Sequence, residues 1–65
     1  MIMTCATIEA TALVLAVFIQ AHLRLGRDFR IAPLDGAAPV RITVMLDLPA
    51  DVLHQLRAIP DTTIT

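Results

Sequence analysis

The sequence predicts an α+β fold in which an antiparallel sheet carries two helices on one face. Three stretches support that expectation. From Val40 to Leu48 the apolar residues Val40, Ile42, Val44, Leu46 and Leu48 alternate strictly with Arg41, Thr43, Met45 and Asp47. That period of two, rich in β-branched side chains, is the signature of a half-buried strand. A second period-two pattern covers residues 19–31, and the segment after Pro49 changes to a helical period.

Taken along the chain, residues 2–5 suit a short first strand. Residues 7–18 are apolar nearly all round, and periodicity does not separate helix from strand there. Length and the alanines favour helix, whereas Val14, Val17 and the threonines favour strand. Helix is the expectation. In 19–31, Ile19, Ala21, Leu23, Leu25, Phe29 and Ile31 share one parity, with Arg27 the exception among them, and Gln20, His22, Arg24, Gly26, Asp28 and Arg30 share the other. One long strand, or two pieces hinged near Gly26, fits this pattern. Residues 32–39 have proline near either end and Asp35-Gly36 between, which is turn chemistry. The strands on either side are therefore expected to form an antiparallel hairpin.

Pro49 has no N–H to offer a ladder, so it ends the second strand and suits the first turn of a helix. Asp51 places negative charge near the helix N-terminus. Val52, Leu53, Leu56 and Ile59 form one apolar stripe. Pro60 restricts Ile59 and stops the helix. Residues 62–65 suit a short last strand. The resulting order, (β)αββα(β) with its first and last strands short or missing, is that of the split βαβ, ferredoxin-like arrangement.

Sixty-five residues make a single domain, 1–65, in which the core is small. A domain of about 60 residues hides only about 60% of its unfolded surface. Yet 57% of these residues are hydrophobic and 17% charged, against roughly 45–50% and 25% in ordinary globular chains. Some apolar surface must therefore face a second subunit, a parent-enzyme domain or lipid, and self-association is the expectation. Cys5 is the lone cysteine, which excludes an internal disulfide and favours a reducing, cytoplasmic compartment. It is expected to be a small buried hydrophobe. His22, His54 and Cys5 have no metal-ligand spacing, so neither metal nor other cofactor is implied.

The net charge of −1 and the absence of lysine give no electrostatic footprint for nucleic acid. A membrane-associated reading, with residues 1–23 as an anchor, competes with this picture. Against it, Glu9 interrupts the apolar run and no cation precedes it. Catalysis is not expected: the chain has no serine and no Gly-rich phosphate loop, and nothing places Cys5 beside a histidine. The candidate ligand residues are Gln20, His22 and Arg24, read as lying on the polar face of the hairpin, where a solvated strand face is the plainer interpretation. His54 reads as an exposed helix residue. A further alternative is a ribbon-helix-helix DNA-binding protein that presents Arg41, Thr43 and Met45 outward. The chain is short of the second helix that arrangement needs.

Two segments resemble the ACT regulatory domain found at the end of phosphoglycerate dehydrogenases. Gln20-Ala21-His22-Leu23-Arg24-Leu25-Gly26-Arg27-Asp28 is similar to that family's second strand, where I-N-I-A is followed after two or three residues by L/V-G-R. Val44-Met45-Leu46-Asp47-Leu48-Pro49, continued by Asp51-Val52-Leu53 and Arg57-Ala58-Ile59-Pro60, resembles its third strand and second helix. The resemblance covers about half of the chain. It implies a ferredoxin-like fold, edge-to-edge or face-to-face pairing, and a small amino acid such as serine bound between units. The family's Pro-Gly ligand loop after the first strand is absent, and its ligand-gripping Asn falls at Ile19. The turn over residues 32–39 is also longer than the family's.

Overall fold

A computed structural model describes residues 1–33 and 38–65. The elements are β1 (Ile2–Cys5), α1 (Ile8–Gln20), β2 (Phe29–Ala32), β3 (Val40–Val44), α2 (Ala50–Arg57) and β4 (Thr62–Ile64). The four strands form one sheet in the order β2-β3-β1-β4, and every neighbouring pair is antiparallel. Each helix thus links two parallel strands that flank a third. The strands expected at 2–5 and at the C-terminal tail are both present, and the stretch expected as helix over 7–18 is helical from Ile8 onward.

Sheet register explains the core. Phe29 lies opposite Val44 and Ile31 opposite Ile42, while Met3 and Cys5 face Ile42 and Val40. Partners across a ladder point to the same face. Phe29, Val40, Ile42, Val44, Met3 and Cys5 consequently make one buried apolar layer. Ala10, Val14 and Phe18 from α1 and Val52 and Leu56 from α2 close over it. The rings of Phe18 and Phe29 meet with centroids 4.8 Å apart. Cys5 is fully buried in this layer.

Thr7 starts α1. Its extended backbone and its Oγ1, which accepts the Ala10 N–H at 3.0 Å, make it an N-cap. α2 is shorter and starts after Pro49 with no side-chain cap, its first-turn charge supplied by Asp51.

Two expectations need correction. The strand expected from residue 40 to 48 ends at Val44. The Met45 N–H still reaches the Asp28 carbonyl at 2.9 Å, but β2 offers no partner beyond that point, and Leu46 is exposed. The strand expected over 19–31 exists only as Phe29–Ala32. Helix α1 instead runs on through Ile19 and Gln20, and ends in a Schellman turn. The His22 N–H bonds to the Ile19 carbonyl at 3.0 Å and the Leu23 N–H to the Phe18 carbonyl at 2.9 Å. His22 takes the left-handed conformation that this turn requires, with φ 61°. A helical apolar stripe had merged with an alternating one. The turn expected at Asp35-Gly36 lies outside the described residues.

A core this small has little reserve, since single cores below about 70–80 residues rarely supply more than ~3–5 kcal/mol. Ile42→Val is expected to lower the unfolding free energy by about 1 kcal/mol in urea titrations. Phe18→Ala, at about 3–5 kcal/mol, is expected to leave the chain unfolded by far-UV circular dichroism.

Candidate functional site

The link between α1 and β2 holds Arg24 and Arg27, two of the chain's five arginines, together with His22. After the Schellman turn, Arg24 through Asp28 fold into a tight loop closed by the Asp28 N–H on the Arg24 carbonyl at 2.8 Å. Gly26 makes the bend with φ 88°, a conformation that costs glycine least. Asp28 is 8% exposed and anchors the loop. Its Oδ2 accepts the Arg24 backbone N–H at 2.8 Å and the Arg27 Nη2 at 2.7 Å, while Oδ1 accepts the Arg27 Nε at 3.0 Å.

These bonds favour the ionised carboxylate. The Arg27 side-chain bond and then the Arg24 N–H hold Asp28 below the ordinary carboxylate range, against an opposing effect of burial. The same side-chain bond raises the Arg27 guanidinium. Arg27 is thereby neutralised locally, although 63% of its side chain stays in solvent.

An open depression of about 360 Å³ beside this loop is lined by Ile19, His22, Leu23, Arg24 and Arg27. It brings together two of the three candidate ligand residues. None of the three lies on a strand: Gln20 ends α1, His22 makes the turn and Arg24 lies in the loop. Gln20 lines a different hollow, with Val17, Ala21, Asp51, Val52 and Gln55 between the helices. Arg24 and Arg27 against the single Asp28 carboxylate give the depression a net positive charge, suited to a carboxylate or another small anion. The plainer role of these residues is structural, because cations near a helix C-terminus complement its dipole. Sequence reasoning missed Asp28. Its one signal was an acid within a run of arginines, which resembles solvated surface.

Elsewhere the chemistry is sparse. Cys5 is sealed in the core, and among the described residues no group of three metal-ligating side chains is found. The open face of the sheet carries Arg30, Arg41, Thr4, Thr43, Thr63 and Ile2, with no acid among the described residues. The ribbon-helix-helix alternative needs β3 free to pair with a second copy, whereas β3 is an inner strand bonded on both sides. The anchor alternative needs a continuous apolar helix from Met1, but Ile2–Cys5 is a strand. Among the described residues no helix is long and apolar enough to cross a membrane.

The most extensive unusual surface is apolar. Ile8 is 64% exposed, Ile19 72% and Leu25 59%. With Ala12 and the half-buried Leu15 they form a band along the β2 side of α1 that continues over Ile31 and Pro33, while Leu13, 50% exposed, lies around the helix from it. A helix packed on a sheet normally turns charged residues outward. On α1 the exposed side holds one charge, Glu9.

Because its folded-state pKa is lowered, Asp28 contributes stability that is fully present above the ordinary carboxylate value. That contribution is lost as pH falls through the lowered value. Asp28→Asn is expected to lower the melting temperature at neutral pH. In melts recorded over a series of acidic pH values, its curve is expected to converge on that of the unmodified protein. No protein-family model, curated protein or solved structure matches the chain.

Proposed function

We propose that this chain is a non-catalytic, ferredoxin-like module of the ACT type that acts by pairing with a second copy of itself or with a parent-enzyme domain. The depression at His22 and Arg24 is, on this reading, a weak site for the carboxylate of a small amino acid such as serine. The strand order and the two helices on one face support the ferredoxin-like assignment. The observation that carries the pairing is the apolar outer side of α1, which no part of the described chain covers.

The amino-acid site rests on less. Two of its residues share one hollow, and the Arg24 guanidinium supplies a charge for a carboxylate. The Pro-Gly loop and the Asn of the ACT pattern are still missing from the sequence. Pairing is therefore the primary activity and ligand binding a secondary one.

Sedimentation velocity from micromolar to millimolar protein is expected to show a reversible dimer; a monomer throughout removes the pairing. Millimolar serine or a similar amino acid is expected to raise the melting temperature, since a ligand that binds only the folded state stabilises it by mass action. His22→Gly tests whether the imidazole takes part. Glycine relieves the left-handed strain at that position, so the variant is expected to fold at least as stably while its serine-induced shift shrinks. An unchanged shift removes His22 from the site.

A further inference from the structure

We infer that the second copy docks α1 against α1 in antiparallel fashion, with Glu9 of each copy entering the basic depression of the other. This rests on the pairing reading above and specifies the surface that performs it.

The sheet itself is poorly equipped to join two copies. The Met45 N–H on the Asp28 carbonyl turns the backbone of Asp28 toward β3. By antiparallel alternation Arg30 and Ala32 also face β3, while Phe29 and Ile31 face the free edge. The Gly26 N–H already occupies the Phe29 carbonyl at 2.8 Å, and Pro33 follows the strand. Ile31 is the one β2 residue left with both N–H and C=O toward the edge. At the other edge, Asp61 and Thr65 bond to β1 and its flanks, so Thr62 and Ile64 alone face outward. Face-to-face stacking would oppose Arg30 and Arg41 to the same arginines in the second copy.

α1 has the opposite character. Ile8, Ala12, Leu15 and Ile19 recur at intervals of four, three and four residues, the spacing of a helix-packing seam. A two-fold axis through the middle of this stripe sets Ile8 against Ile19 of the second copy and Ala12 against Leu15. Large side chains then meet at both ends, and small fits large in between. A standard interface buries about 800 Å² per partner, roughly a fifth of the chain's 4256 Å². A helix of 13 residues is about 20 Å long, and its band extends over Leu25 and Ile31, so the surface is of that order.

Charge complementarity selects the antiparallel direction. The one charge on the exposed side of α1, Glu9, lies at its N-terminal end, and Arg24 and His22 lie at its C-terminal end in a hollow that Ile19 helps to line. A two-fold axis perpendicular to the stripe reverses the helix direction and sets like flanks side by side. It therefore carries Glu9 of the second copy to the Ile19 end, the end at which that hollow lies. The parallel alternative would juxtapose the two Glu9 carboxylates and the two basic ends.

Sedimentation equilibrium on charge variants tests this, with far-UV circular dichroism confirming that each remains folded. Ala12→Glu, on the stripe, is expected to weaken the dimer at least tenfold. Leu13→Glu, about 120° around the helix, is expected to leave it unchanged. Glu9→Arg and Arg24→Glu are each expected to weaken association roughly fivefold, and the double exchange to recover most of that loss. A dimer that persists in Ala12→Glu, or a double exchange without recovery, overturns the α1 interface and leaves self-association standing. A parent protein that is monomeric throughout, including one that binds neutral phosphatidylcholine vesicles as a monomer, overturns both.

Discussion

The turn that ends α1 is the constraint on which the rest of the molecule depends. Two N–H groups, of His22 and Leu23, bond back to the carbonyls of Ile19 and Phe18 and stop a helix that hydrophobicity alone would have prolonged. Leu23 follows the reversal and packs against the core. The Asp28 carboxylate then binds the Arg24 N–H and folds the following loop into a fixed shape. Phe29 emerges from that loop aimed at Phe18, and their contact ties β2 to the helix that precedes it. Without this sequence of local bonds, β2 would have no reason to begin where it does, and Ile42 would lack its partner at Ile31.

Much of the architecture was legible from alternation and proline placement. Val40 to Val44 form a strand because β-branched residues on one parity find Phe29 and Met3 layers on either side. Pro49 caps the second helix as its sequence suggests, and the helix ends at Arg57, two residues short of the Ile59 stop expected from Pro60. The stretch 19–25 misled because a helix end and a loop happened to keep apolar residues on odd positions. Period two over such a short span is not distinguished from a helical tail followed by an irregular turn. The deciding information was the left-handed tolerance of His22, a residue type that rarely signals a helix end, and a carboxylate whose partners are backbone and side-chain groups within four residues. Gln20, His22 and Arg24 were read as one face of a strand. Only the last two share a hollow, because the turn at His22 breaks the periodicity that had linked all three.

The apolar excess noted in the composition now has a location. The inner face of the sheet and the inner sides of both helices account for the buried residues. Much of the excess lies on α1 and runs down to Leu25 and Ile31, with the remainder at Met1, Ile2, Met45 and Leu46. A 13-residue helix with one charge on its exposed side departs from the ordinary pattern of a surface helix. α2 provides the contrast within the same chain. It buries Val52 and Leu56 and turns Asp51, His54, Gln55 and Arg57 to solvent. Two helices resting on one sheet have thus been given different outer surfaces.

That difference constrains how a second molecule can approach. Sheet continuation requires a row of free N–H and C=O groups, and the Gly26 bond together with Pro33 leaves β2 with little of one. Stacking through the open face requires its charges to be offset, and Arg30 and Arg41 are cations of the same sign in both copies. Burial of the α1 band needs neither backbone groups nor compensation of an unpaired cation. It removes apolar area from water, a driving force that grows with the area covered. The ends of the band carry opposite charges, so the association that buries most apolar surface also brings the Glu9 carboxylate toward the Arg24 guanidinium. The hollow at His22 and Arg24 would then lie at the seam between two copies, where occupancy by a free carboxylate and occupancy by Glu9 of the second copy compete for the same cation.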